Sequence, residues 1–177
     1  MPRYYKRYYR SKSMKYSNEN ACIAGTLSAS ADDPDGHHKQ SYFQLIPATT
    51  AQGTRKVKNL TLKILLGPSF NVNKQDPTQK TESVGSLAFV VVFVPEGTLP
   101  SSINVGDQSV SLYEPNQNVI LSGIIDNTQT YTFRTRLARN LNSGDSIYIV
   151  LRDNNAVTED TYTATAAQFM LNYAIAY

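Results

Sequence analysis

Period-two alternation, broken at short intervals by turn chemistry, runs through most of this chain. In 131–137, Tyr131, Phe133, Thr135 and Leu137 fall on one side and Arg134 and Arg136 on the other. Successive side chains of a strand point to opposite faces, so this is the pattern of a half-buried β-strand. The same reasoning predicts eight strands, over 21–29, 40–47, 56–66, 86–94, 117–125, 131–137, 146–151 and 168–177. Turn signals such as Asp32-Asp33-Pro34-Asp35-Gly36, Tyr113-Glu114-Pro115 and Asn142-Ser143-Gly144-Asp145 separate them.

Two strands carry further information. In 56–66 the alternation settles at Leu60, Leu62 and Ile64, with Thr61 and Lys63 opposite. Val57 is out of phase with it, which predicts a bulge or a later strand start. Leu87 to Val94 is continuously apolar, which predicts burial on both faces. Helical periodicity never exceeds two turns, and the best helical candidate, TATAAQFM, runs straight into the last strand. Eight antiparallel strands with long connections at 67–85 and 95–116 predict an all-β, two-sheet sandwich, and the jelly roll is its eight-stranded form. An immunoglobulin-type sandwich is disfavoured, because the chain has no Trp and one Cys.

The N-terminal segment MPRYYKRYYRSKSMKY has a different composition. Arg3, Lys6, Arg7, Arg10, Lys12 and Lys15 supply six positive charges, and Tyr4, Tyr5, Tyr8, Tyr9 and Tyr16 are interleaved with them. The full chain has 17 basic and 14 acidic residues, net +3. Without the arm's six cations, 11 basic residues face the same 14 acidic ones, so residues 17–177 are net −3. With almost nothing aliphatic to bury, such an arm is expected to be disordered until a polyanion organises it. The expected organisation is therefore an arm over 1–18 and one packed domain over 19–177. A length of 177 residues, 41% hydrophobic and 18% charged, suits that single core.

The chemistry of the arm points to single-stranded nucleic acid. Arg and Lys neutralise phosphates, while tyrosine rings stack on unpaired bases without needing a particular sequence. The candidate binding set is Arg3, Tyr4, Tyr5, Lys6, Arg7, Tyr8, Tyr9, Arg10, Lys12 and Lys15. Arg55, Lys56, Lys58, Arg134 and Arg136 extend it onto the strands, with Arg139 nearby.

Enzyme chemistry has no foothold in the sequence. G-x-S-x-G, P-loop, H-E-x-x-H and paired C-x-x-C motifs are all missing. His37 and His38 are adjacent, so in an extended segment they point apart, and with Asp32, Asp33 and Asp35 they read as a solvated turn rather than a metal site. No cofactor is expected. Cys22 reads as a small buried hydrophobe rather than a nucleophile, and one cysteine makes no intrachain disulfide. The sequon Asn59-Leu60-Thr61 lies in a predicted strand with no secretory signal ahead of it and is discounted. The start of the chain lacks an apolar h-region, and the longest apolar run falls well short of the roughly 20 residues of a membrane helix. A soluble, intracellularly made protein without a membrane partner is expected.

Beside these readings stands a resemblance. The Arg/Tyr arm, RKVKNLTLKILL, and above all FVVVFVPEG, SINVG, SLYEPNQNVILSGIID and RTRLARNLNSGDSIYIVLR resemble capsid proteins of small circular, Rep-encoding single-stranded DNA viruses, the circovirus-like group. The likeness runs over nearly the whole chain and is most specific from Ser111 to Arg152. It implies a jelly-roll subunit that assembles with itself, about 60 copies to a T=1 icosahedral shell, around circular ssDNA. It also implies an arm that binds the genome and serves as a nuclear-import signal, hence host import machinery as a partner and the virion and host nucleus as locations. This arm is shorter and less arginine-rich than those of typical circoviruses. At six arm charges per copy, such a shell neutralises about 360 phosphates, short of a kilobase-scale genome, so the body or small cations must supply the balance. Two alternatives share the composition: an RNA-packaging capsid protein of a small satellite plant virus, and a non-viral single-stranded nucleic-acid-binding β-domain.

Overall fold

The computed structural model describes residues 15–30, 40–100, 118–153 and 160–176. The described residues are nearly all β, arranged as two antiparallel sheets. In chain order the strands are β1 (Ser17–Ser30), β2 (Gln40–Ile46), β3 (Arg55–Asn73), β4 (Lys80–Ser83), β5 (Ser86–Val94), β6 (Val119–Asp126), β7 (Thr130–Thr135), β8 (Arg139–Leu141), β9 (Ser146–Asp153) and β10 (Thr161–Ala176).

In the first sheet β10 lies between β1 and β3. The far side of β3 takes β8, β7 and β4 end to end, opposite Arg55–Val57, Leu60–Leu65 and Ser69–Val72. The second sheet runs β2-β9-β5-β6. The pairings nest: β1 with β10, β2 with β9, β3 with β7 and β8, and β5 with β6.

The out-of-phase Val57 marks a real bulge. Ala174 faces Lys58 but Asn172 faces Thr61, so β3 carries one residue more than β10 there, and Asn59 takes φ 54°. Val57 and Leu60 can then both enter the core, where each is buried. A second register shift, between Thr165 and Ala167, lets β3 continue through Gly67 and Pro68. The sequence predicts a loop there, because Gly and Pro ordinarily end strands. In a bulge the extra residue owes no ladder hydrogen bond, so Pro68 is tolerated. Likewise TATAAQFM is strand, part of β10.

The core lies between the sheets. Leu62, Ile64, Phe169, Leu171 and Ile175 of the first meet Leu45, Leu87, Phe89, Val91, Ile149 and Leu151 of the second. Phe43 and Phe169 approach across the gap with ring centroids 5.1 Å apart, and Phe89 and Phe133 at 4.7 Å. Gly25 makes the first contact possible, since a Cβ there would sit 2.1 Å from Phe43 Cε1. The continuously apolar β5 is buried on both faces, as expected. Leu87, Phe89 and Val91 enter this core, while Ala88, Val90, Val92 and Val94 join Val150 in a second cluster on the outer side of the second sheet.

Cys22 does not follow its expectation. It is exposed, because Ala21, Ile23 and Leu27 take the core-facing side of β1 and strand parity turns Cys22 outward. Among the described residues, no helix is long and apolar enough to cross a membrane.

Candidate nucleic-acid interface

The outer face of the first sheet can be laid out from register alone, because directly opposed residues share a face. Across β1, β10, β3 and β7, one row reads Asn20, Asn172, Thr61, Arg134. The next reads Cys22, Met170, Lys63, Thr132, and the third Ala24, Gln168, Leu65, Thr130. Lys58 and Lys56 continue the β3 column below the bulge, both half-buried. The rows contain Lys63 and Arg134 and no carboxylate. Lys63 and Arg134 are diagonal neighbours, which puts their Cβ atoms about 7–8 Å apart, a spacing that two consecutive phosphates can bridge.

Toward β4 the same face gains an acid: Ser28, Ala164, Phe70 and Glu82 form a further row, and Glu82 is exposed. Glu19 lies on the opposite face of β1 and accepts a hydrogen bond from the Tyr173 hydroxyl at 2.7 Å. Asp145 and Asp153 are buried, and Asp153 accepts from Thr163 Oγ1 at 2.7 Å. Asp76 and Asp126 sit in turns. Hydrogen bonds from the Thr78 side chain and backbone hold the Asp76 carboxyl below the usual carboxylate range. Thr128, again through side chain and backbone, and then the Tyr131 hydroxyl do the same for Asp126.

The arm joins the body at this patch. Tyr16, the residue before β1, lies under Lys58, whose Nζ is 3.6 Å from the ring centroid, a cation–π contact. Lys15 is exposed beside it. Arg3, Tyr4, Tyr5, Lys6, Arg7, Tyr8, Tyr9, Arg10 and Lys12 lie outside the described residues, as do Asp32, Asp33, Asp35, His37, His38 and Tyr113.

The remaining candidates divide. Lys56, Lys58 and Arg134 share the outer face, and Arg136 is exposed just past the end of β7. Arg55 is set apart from them. It is 7% exposed, and its Nη2 donates to the Pro47 carbonyl at 3.0 Å and the Asp145 carbonyl at 3.2 Å. The Asp145 carboxylate accepts from the Glu96 and Asn142 amides at 3.0 and 2.7 Å. Arg55 therefore ties three loops together at one end of the sandwich and is not on the basic face. Arg139, opposite Val57, is half-buried on the core-facing side.

Lys63 is the residue that sequence reasoning left out of the binding set. Its parity, outward from Leu62 and Ile64, was legible; that the Arg134 strand lies beside it was not. Among the described residues, no group of three or more His, Cys, Asp or Glu side chains could hold a metal ion. No family model matches the chain, and no curated protein matches it either.

Proposed function

We propose that this protein is a viral capsid subunit that assembles with its own copies into a small icosahedral shell, of about 60 subunits, and packages circular single-stranded DNA. The observation that carries the reading is the cluster of Lys56, Lys58, Lys63 and Arg134 on the outer face of the first sheet, with the Arg/Tyr arm entering the body at Lys58. An arm and a sheet face of the same charge, meeting at one place, make a continuous surface for a flexible polyanion.

The fold supports it. Nested pairing of first strand with last, second with next to last, and onward to a central β5–β6 hairpin is what rolling up one long antiparallel hairpin produces. We therefore read the sandwich as a jelly roll, in which β4 is an insertion and β7 and β8 are one strand interrupted at 136–138. Eight principal strands remain, four to a sheet. The resemblance of Ser111 to Arg152 to circovirus-like capsid proteins supplies the cargo, the shell and the nuclear location.

Electron microscopy of the purified protein, together with light scattering and nuclease digestion, tests the reading. Isometric particles holding nuclease-protected DNA are expected. A protein that stays monomeric across concentration at physiological salt would overturn the shell, and protected RNA would overturn the cargo.

A further inference from the structure

Open sheets end in strands whose outward N–H and C=O groups have no ladder partner, and natural proteins blunt these margins with short strands, charge, proline or bulges. Three of the four described margins are blunted here. β2 is seven residues long, with a register shift between Gln44 and Ile46. The β5–β6 ladder at the other end of its sheet shifts between Val91 and Val92. The third margin is broken into β8, β7 and β4, which carry Arg139, Arg134, Lys80 and Glu82.

β1 has none of these devices. It runs 14 residues, SNENACIAGTLSAS, with no Lys, Arg or Pro. Its ladder to β10 is unbroken from Ser17 opposite Ile175 to Ser30 opposite Tyr162. Among the described residues β10 is the only strand that pairs with it. Its single charge, Glu19, is engaged by Tyr173.

We infer that β1 is a docking edge for a second copy of this chain, paired antiparallel about a two-fold axis so that the first sheets of the two copies run into one another. Two identical edges match in length automatically, and an isologous contact closes on itself. Opposed residues in an antiparallel pair share a face, so an axis perpendicular to the sheet must pass where one residue faces its own copy. With that residue at 22, 23 or 24, Glu19 faces Gly25, Leu27 or Ala29 and never the other Glu19. The outer row, Asn18, Asn20, Cys22, Ala24, Thr26 and Ser28, is small, uncharged and exposed, so nothing in it obstructs close approach. The pairing makes one sheet eight strands wide and joins the two basic faces into a single track. The inference rests on the proposed function only in needing copies that associate.

Single cysteines along the outer row test it in the full-length chain. Native Cys22 is one position; Asn18→Cys, Asn20→Cys, Ala24→Cys, Thr26→Cys and Ser28→Cys, each with Cys22→Ala, are the others, and Thr132→Cys with Cys22→Ala is the control. All are exposed, and native Cys22 needs no substitution, so the test survives a variant that folds poorly. A short bis-maleimide should cross-link one position or two adjacent ones strongly. It should fail at the rest, because the two copies of a residue move apart by two residues, about 6.6 Å, for each step away from the axis. Association without cross-linking anywhere on β1, equal cross-linking at Thr132→Cys, or a wild-type protein that never associates would each overturn the inference. Particles without β1 cross-links would leave the shell reading standing, whereas cross-linked dimers that never form particles would remove the shell and keep the edge.

Discussion

The two sheets present opposite characters to the outside. On the first, the outward residues in the three rows from Asn20 to Ala24 are Lys, Arg, Asn, Gln, Thr and small residues, with Met170 and Leu65 each 45% exposed among them. On the second, Val90, Val92, Val94 and Val150 are buried on the outer side, with Tyr42, Val119 and Tyr148 packed against them. Burial also raises the Tyr42 hydroxyl pKa. Both sheets give their inner faces to the same core, so the difference lies wholly in the outward positions. Stability constrains the outer face of the second sheet, and the first sheet's outer face is left to charge.

Substitutions that exchange these characters should behave very differently. The largest effect is expected from Val150→Asp, which puts an unpaired carboxylate in a site of 0% exposure. A loss of about 4 kcal/mol or more is expected, enough to unfold much of the protein, read by urea denaturation. If it costs little, the outer face of the second sheet is not a packed layer.

Replacing Lys56, Lys58, Lys63 and Arg134 together by Gln sharpens the other side. Stability should change by only about 0.5 kcal/mol or less at Lys56, Lys63 and Arg134, and by about 0.5–1 kcal/mol at Lys58, which also loses its contact with the Tyr16 ring. The log–log salt dependence of single-strand DNA binding should become shallower by about 2.8, near 0.7 per lost contact. Titrations at several salt concentrations measure it, and an unchanged slope would remove this face from the interface. A smaller effect, about 0.5–1 kcal/mol at an exposed site, is expected for Tyr16→Ser, which removes the ring beneath Lys58. Double-mutant cycles with Lys58→Gln should return that coupling.

The smallest effect concerns pH. Asp126 has a lowered pKa in the folded protein, so its stabilising contribution is present above the ordinary carboxylate pKa and is lost as pH falls through the lower folded value. Acid should therefore loosen the β6–β7 turn, and Asp126→Asn should flatten that part of the stability–pH curve. The rows around Lys63 and Arg134, which contain no carboxylate among the described residues, should give no such acid-dependent change.

Much of this was legible in the sequence because alternation reports parity directly. It separated Tyr131 and Phe133 from Arg134 and Lys63 from Leu62 and Ile64, it marked the slip at Val57, and it identified β5 as buried on both faces. Parity becomes informative only once the inner side is known. For Cys22 the neighbouring Ala21, Ile23 and Leu27 decide that side, and reading the residue by its own type missed it. Arg55 was grouped with Lys56 and Lys58 by sequence proximity, although adjacent strand residues face opposite ways and its acceptors, Pro47 and Asp145, come from separate loops. The extension of β3 past Pro68 depended on a bulge that only its partner strand reveals. Which strands lie side by side, and hence the association of Lys63 with Arg134, is long-range information that no local pattern contains.

The position of β10 has a consequence for how the protein is made. Thr161–Ala176 inserts between β1 and β3, and Ser17 pairs across the ladder with Ile175. A chain emerging from the ribosome has made β1 and β3 long before β10, so neither can complete its ladder until synthesis has passed residue 176. Contacts so distant in sequence form slowly, and until then the basic arm is attached to an unfinished sheet. Folding of this sheet is therefore timed by translation: only a subunit whose β10 has been synthesised has a finished β1 to offer.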